Sequence, residues 1–176
     1  MVFLKSNRVT LEPLEEHHLD GDWPSWLNDP EVCRYNSHAT FPMTRGECGE
    51  YLKKVTGSRE EVAFAVHVES KHVGNICLKN IDWINRSAEF AIIIGDKDCW
   101  GQGIGKEAGE LLMGYGLDVL NLRRIYCGTH EDNQGMIKLA ESMDMKCEGR
   151  LKDAIWKNCM YSDVLIFGYV AIEVVS

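Results

Sequence analysis

Apolar residues recur along this chain at two different periods, and the changes of period mark its elements. Residues 88–94 (A-E-F-A-I-I-I) form an almost unbroken apolar run rich in Ile, which predicts a strand buried on both faces. From Gly103 the spacing turns helical. Ile104, Ala108, Leu111, Leu112, Tyr115 and Val119 share one face, and Lys106, Glu107, Glu110 and Asp118 take the other. Between strand and helix lies a polar, glycine-rich loop.

The rest of the chain follows the same rules. Residues 8–14 (R-V-T-L-E-P-L) alternate and predict a first strand ended by Pro13, and residues 15–27 predict one or two short helices. His17 and His18 read as a solvated first turn there, rather than a catalytic pair. Thr44 and Glu47 form a capping box for a helix running to about Val55. Residues 62–68 and 73–83 predict an antiparallel hairpin turning at Glu69-Ser70-Lys71, and Asn85-Arg86 turns the chain into the apolar strand. Residues 123–127 return as a parallel strand, because a crossover helix intervenes. Asp132 or Asn133 then caps a helix whose apolar positions are Met136, Ile137, Ala140 and Met143.

Glycines at 101, 103 and 105 straddle the predicted helix start. They allow a ligand to approach the backbone and leave amide N–H groups unshielded. A helix N-terminus adds free donors and a partial positive charge, so the loop suits an anion, phosphate above all. Gly103, Gly105 and Ala108 also match a dinucleotide fingerprint. That reading requires an acidic residue closing the next strand and a second wound half. Here the next strand ends in Gly128-Thr129, and about fifty residues follow. No Gly-Lys-Ser/Thr occurs, which excludes a nucleotide-triphosphate loop. An ordinary strand–turn–helix without a ligand is the plain alternative.

W-G-Q-G-I-G, directly after A-E-F-A-I-I-I, resembles the Q/R-x-x-G-x-G/A acetyl-CoA pyrophosphate loop of the GNAT N-acetyltransferase superfamily, especially its Rim-type and polyamine-acetyltransferase branch. Trp100 stands where that motif begins with Gln or Arg. D-P-E-V-C-R-Y-N-S-H (residues 29–38) is similar to the start of a Rim-type substrate loop, and the segment after Met145 to a two-stranded finish. The resemblance spans residues 8–170. It implies an α/β (α+β) GNAT fold, with a mixed, mostly antiparallel central sheet of about seven strands and flanking helices. It implies acetyl-CoA as donor, held by Ile92, Ile93, Ile94, Trp100, Gly101, Gln102, Gly103, Ile104, Gly105 and Lys106, with Asn133 contacting pantetheine as well as capping its helix.

The implied reaction moves an acetyl group directly to a primary amine. The amine must lose a proton, the carbonyl oxygen must be polarised, and the thiolate must depart. Glu89 is the first catalytic candidate, because a carboxylate inside an apolar strand is costly without a role or a partner. It could instead pair with Arg86 or face water. His130, with Glu131 and Asp132, forms a second candidate set. Backbone N–H groups of residues 91–94 would polarise the carbonyl. No leaving-group acid is evident: Ala140 and Met136 stand where relatives carry Tyr or Ser.

Composition narrows the function classes. The 176 residues suggest one domain, with 45% hydrophobic and 26% charged residues. A net charge of −8 argues against nucleic acid as a partner and is compatible with a cationic amine. No apolar run is long enough to span a membrane and the N-terminus does not read as a signal peptide, so a cytoplasmic protein without membrane attachment is expected. Seven scattered cysteines, without C-x-x-C or His pairs at ligand spacing, argue against metal sites and disulfides; most read as small buried hydrophobes. A homodimer is compatible with this reading.

The acceptor is a small-molecule or peptide amine. A polyamine or protein α-amine is favoured; a nucleotide-linked amino sugar, or a non-catalytic CoA-binding module, is the alternative. Residues 23–38 and the hairpin near Trp83 would recognise it, through Trp23, Trp26, Tyr35 and Trp83 with Asp22, Asp29, Glu31 and Asp82. The plain alternative makes the tryptophans core and the acids a solvated rim.

Overall fold

The computed structural model describes residues 1–172. Eight strands form one sheet in the order β1-β2-β3-β4-β5-β6-β8-β7. β1 (Leu4–Lys5) and β2 (Val9–Pro13) lead to a 3₁₀ turn (Glu16–Asp20), α1 (Trp23–Trp26) and α2 (Arg45–Val55). β3 (Val62–Val68), β4 (Lys71–Asp82) and β5 (Ser87–Ile94) form an antiparallel meander. α3 (Ile104–Gly114) crosses over, and β6 (Arg124–His130) returns parallel to β5. α4 (Gln134–Ser142) precedes β7 (Lys146–Lys157) and β8 (Met160–Val170), and β8 inserts between β6 and β7. The expected mixed, mostly antiparallel sheet is present. It has one strand more than expected, because Leu4 and Lys5 pair with Leu11 and Thr10.

Local chemistry explains the turns. Glu69 and Ser70 have φ of 48° and 69°, and Asn158 and Cys159 have 52° and 60°. Two left-handed residues give a turn whose twist matches the flanking strands, so both hairpins close in two residues. Thr44 Oγ1 accepts from the Glu47 N–H at 3.2 Å, and Glu47 accepts from the Thr44 N–H at 2.7 Å, completing the expected capping box.

The sheet buries an apolar cluster on each face. Leu11, Val66, Ile76, Leu78, Phe90 and Ile125 pack with Ala108 and Leu112 of α3. On the other face Ala65 and Ile93 meet Trp23, Trp26, Leu52 and Val55 of α1 and α2. Trp23 and Trp26 are therefore core residues, as the plain alternative had it, and neither is free to stack on a substrate.

Three further expectations change. Val119 is 67% exposed, since residues Tyr115–Val119 form a π turn. The wider turn shifts the helical phase and brings Gly116 inward, where an added Cβ would lie 2.8 Å from Leu78. The run in β5 is fully buried only at Ala88 and Phe90, because β6 parts from it farther on. Of the cysteines, 33, 48 and 127 are buried, 77 and 99 are partly covered, and 147 and 159 are exposed.

The histidines also depart from expectation. His17 is exposed, but His18 is 3% exposed and joins His67 and His72 in a cluster under α1. His18 Nδ1 accepts from the Glu15 N–H at 2.9 Å, and its Nε2 lies 3.2 Å from His67 Nε2. One proton can occupy that last gap; a second would set N–H against N–H. Burial first, and then repulsion from His72, lowers the His18 pKa from 6.5 to about 4.

The unfolded chain therefore takes up a proton near pH 6.5 that the folded chain refuses until about pH 4. Stability from this group is whole above pH 6.5 and falls as pH drops through that window, by on the order of 3 kcal/mol. Melting temperatures measured from pH 7.5 to 4 should show this loss. His18→Gln, which does not titrate, should flatten the slope; an unchanged slope would remove His18 as its source.

Candidate functional site

β5 and β6 are joined at only three pairs, Ser87↔Arg124, Ala88↔Ile125 and Glu89↔Tyr126. Beyond them β5 stays with β4 as far as Ile94, and β6 stays with β8 as far as His130. A wedge thus opens between two parallel strands, widening toward their C-terminal ends. Both strands lead there into helix N-termini, those of α3 and α4.

The loop entering α3 is held from several sides. The Val73 carbonyl accepts from the N–H groups of Gly95 and Asp96 at 2.9 and 3.0 Å. Trp26 lies flat against Gly95, where a Cβ would come within 1.9 Å of the indole. Lys71 pairs with Asp96 at 2.6 Å. Trp100 turns its indole N–H onto the Ile94 carbonyl at 2.8 Å, so its polar atom serves the loop's own fold.

Gly101 and Gly103 then take φ of 73° and 79°, which reverses the chain into the helix without a Cβ penalty. No side chain caps Gly103, and among the described residues no protein acceptor takes the N–H groups of Gly103, Ile104, Gly105 or Lys106. These four unused donors at a helix start fit a phosphate. Gly105 sits over Ile92, Ile94 and Leu139, each 3.9 Å from where a Cβ would stand, so a small side chain would fit there.

Arg8 stands beside this loop, a residue that the sequence pattern did not single out. Its Nη1 donates to the Gln102 carbonyl at 3.1 Å, and its Nη2 meets Glu107 at 2.9 Å. Glu107 also accepts from Ser6 Oγ at 2.6 Å and from the Arg8 N–H at 2.8 Å. The Ser6 hydrogen bond and then those of Arg8 hold its carboxyl below the ordinary range. An anion in the first turn would oppose a phosphate, and the Arg8 guanidinium offsets it. Nothing in the local spacing marks this pairing, which joins positions about one hundred residues apart.

At the open end of the wedge Asn133 caps α4, its Oδ1 accepting from the Met136 N–H at 3.1 Å. Asp132 lies outside the helix, so the cap is Asn133. His130 is 7% exposed, and its Nδ1 accepts from the Asp132 N–H at 3.1 Å. That contact occupies the Nδ1 lone pair and puts the ring proton on Nε2. Glu131 is committed to structure: it accepts from the Asp163 N–H at 3.0 Å and pairs with Arg150 at 3.1 Å.

Glu89 lies at the narrow end, four residues of β6 away from His130, so the structure does not bring these two candidates together. Its side chain is 26% exposed. Oε1 meets Lys79 Nζ at 3.2 Å and Oε2 accepts from Asn80 Nδ2 at 2.9 Å, rather than from Arg86, whose guanidinium donates to Asn121. The distance from Glu89 to the loop, five strand residues or roughly 16 Å, suits an extended pantetheine arm.

Residues 29–38 roof the α1 side of the site. Lys97, from the glycine-rich loop, reaches Asp29 at 2.8 Å and Glu31 at 2.6 Å. Lys157, at the β7–β8 tip, donates to the carbonyls of Cys33 and Asn36. Tyr35 lies 5.4 Å from the His130 ring. Asp82 accepts from the N–H groups of Ile84 and Asn85 within its own turn, and Trp83 donates to the Arg59 carbonyl. Of the expected acceptor set, Tyr35 packs near His130 while Asp29, Glu31 and Asp82 are already paired.

A family model described as an acetyltransferase (GNAT) domain matches residues 8–146. The chain belongs to the GNAT acetyltransferase family. This GNAT chain is 28% identical to the uncharacterized N-acetyltransferase p20 of Bacillus licheniformis, over 98% of each chain. It is also 28% identical to spermidine N(1)-acetyltransferase of Escherichia coli strain K12, over 91% of this chain and 84% of that one. Among solved structures, spermidine N-acetyltransferase from Vibrio cholerae in complex with CoA and spermine matches with a TM-score of 0.85 at 26% identity, covering 94% of this chain and 96% of the other. RimL, a ribosomal L7/L12 α-N-protein acetyltransferase in complex with CoA, shares the fold with a TM-score of 0.86 at 19% identity, covering 94% and 95%. The enzyme is an N-acetyltransferase with acetyl-CoA as its donor.

Acetyl-CoA at about 100 times its dissociation constant should stabilise the fold by about 2.7 kcal/mol, a melting shift of roughly 5–10 °C. Gly103→Val, which forces a branched residue into a left-handed backbone beside the free donors, should abolish the shift. NADH should produce none. Equal shifts with both ligands would contradict a loop selective for CoA.

Proposed function

We propose that this enzyme acetylates a small or peptidyl cationic amine, a polyamine or an α-amine, by direct attack in a ternary complex. The carrying observation is the position of Glu89, an anchored carboxylate where the wedge narrows, opposite in the strand direction to the free N–H groups of the α3 loop. Donor and acceptor chemistry would then meet along one channel from its two ends.

In this reading the N–H groups from Gly103 to Lys106 hold the pyrophosphate, with Gly101 and Gln102 flanking it and Arg8 matching charge nearby. The freed edge of Ala91, Ile92, Ile93 and Ile94 orients the pantetheine arm and polarises the carbonyl through its backbone. Acetyl-CoA supplies the acyl carbon and a thiolate leaving group. Glu89 attracts the acceptor's ammonium and takes its proton, directly or through one water, which frees the lone pair that forms the N–C bond. With Nδ1 committed, His130 serves as an Nε2–H donor on the wall of the wedge rather than as a base. Asn133, whose Oδ1 caps α4, keeps its amide N–H₂ for pantetheine. Position 140 of α4 is alanine, which has no proton to give, and the C–S bond breaks to the thiolate.

A cationic acceptor fits better than a nucleotide-linked amino sugar, which needs basic groups for its phosphates. Lys79 is paired with Glu89 and Arg45 with Asp20 at 2.8 Å. Arg34, over the Tyr35 ring, is the candidate left for that purpose. The spermidine acetyltransferases among the relatives point the same way.

Glu89→Gln keeps the shape but removes the basic carboxylate; turnover should fall by roughly 10²–10⁴ while acetyl-CoA still binds. Unchanged turnover with a good acceptor would make Glu89 structural. A panel of spermidine, short peptides and UDP-linked amino sugars, followed by free-thiol release, tests the acceptor class. A cationic amine should be fastest. Preference for the UDP-sugar would overturn the acceptor assignment, and no turnover with any amine would favour a CoA-binding module.

A further inference from the structure

Both oxygens of Glu89 are engaged, and the second engagement depends on an irregularity in β4. Lys79 and Glu89 are cross-strand partners, so their side chains meet on one face as the pleat dictates. Asn80 would normally point to the opposite face. Instead the β4–β5 register shifts between Lys79 and Asp82, and Asn80 takes a left-handed φ of 53°. The extra residue restores Ile81 to the core shared with Leu78 and α3. It also turns the Asn80 amide back onto Glu89 Oε2, at 2.9 Å.

Few residue types could do this. A left-handed backbone is easy for Gly and tolerable for Asn and Asp, and costly for others. Gly has no donor to offer, and Asp would bring a second negative charge against the carboxylate. Asn alone combines the backbone with an N–H₂ donor. The exposed location makes a packing role for this side chain insufficient.

We propose that Asn80 is a positioning residue for the acetyl transfer, acting through Glu89. Lys79 on Oε1 and Asn80 on Oε2 remove the free rotation of the carboxylate, and its 26% exposure leaves its remaining lone pairs open to an acceptor. An acceptor ammonium then meets an already oriented proton acceptor, and the amine nitrogen is freed in line with the acyl carbon. The Asn80 effect is thus on the turnover step more than on the capture of the amine. This inference rests on the reading of Glu89 as the carboxylate that receives the amine proton.

The test is a double-mutant cycle on the full-length enzyme with its best cationic acceptor, reading kcat and KM separately. Asn80→Gly keeps the backbone conformation and deletes the donor; it should lower kcat by roughly tenfold with little change in KM or melting temperature. Asn80→Asp, which also tolerates the backbone, should lower kcat further. Added to Glu89→Gln, the Asn80→Gly change should cost nothing more. A full loss in that background would mean that Asn80 supports the strand and not the carboxylate, overturning the proposal. So would wild-type kcat in Asn80→Gly beside a strongly impaired Glu89→Gln. If Glu89→Gln itself leaves kcat intact, the reading of Glu89 fails first, and the proposal with it.

Discussion

Three residue pairs hold β5 to β6, and the absence of a fourth organises the functional half of the molecule. A continuous sheet would have used the edge of β5 from Phe90 onward in a ladder. Because β6 turns away to follow β8, that edge remains free in an otherwise paired interior. A half-buried, unpaired backbone edge is open to hydrogen-bonding partners, and in a GNAT enzyme the donor's pantetheine arm can supply them. The parting also aligns what lies beyond it. Two parallel strands end at one side, so the N-termini of α3 and α4 converge on the same opening.

The rest of the fold keeps the wedge open at fixed dimensions. On one face α3 is locked by its own core and by Ser6 and Arg8, which reach Glu107 from the β1–β2 edge of the sheet. On the other, Trp26 rests on Gly95 and sets the height of the loop above the strand end. The roof formed by residues 29–38 is tied by Lys97 to the glycine-rich loop and by Lys157 to the β7–β8 tip. The glycine-rich loop and the 29–38 segment are thus parts of one hydrogen-bonded frame, and each helps to set the position of the other.

Much of this was legible from local patterns. The apolar run ending in Ile94, the glycines at 101 and 103, and the amphipathic stretch from Ile104 made the strand, loop and helix readable, as did the Thr44–Glu47 cap. Other readings failed where the determining partner lay far away. Val119 looked apolar and helical, but the π turn that exposes it is fixed by the packing of Gly116 on Leu78 and Ile125. His18 looked solvated because its partners, His67 and His72, come from another hairpin. Trp23 and Trp26 looked like a binding surface because composition does not say which face of a sheet a helix covers.

The sequence by itself determined most of the elements, the unshielded helix-start donors of the loop and the family, since period, turn residues and helix-start donors are properties of neighbouring positions. It also marked Glu89 as a charge out of place in an apolar strand. Only the tertiary structure decided what holds that charge, where the strands part and which cation stands beside the loop. Lys79, Asn80 and Arg8 gain their roles from register, from a bulge and from a contact between distant segments. Such relations exist only once the strands are paired, because hydrogen-bond and charge complementarity depend on distance in space, and separation along the chain does not encode it.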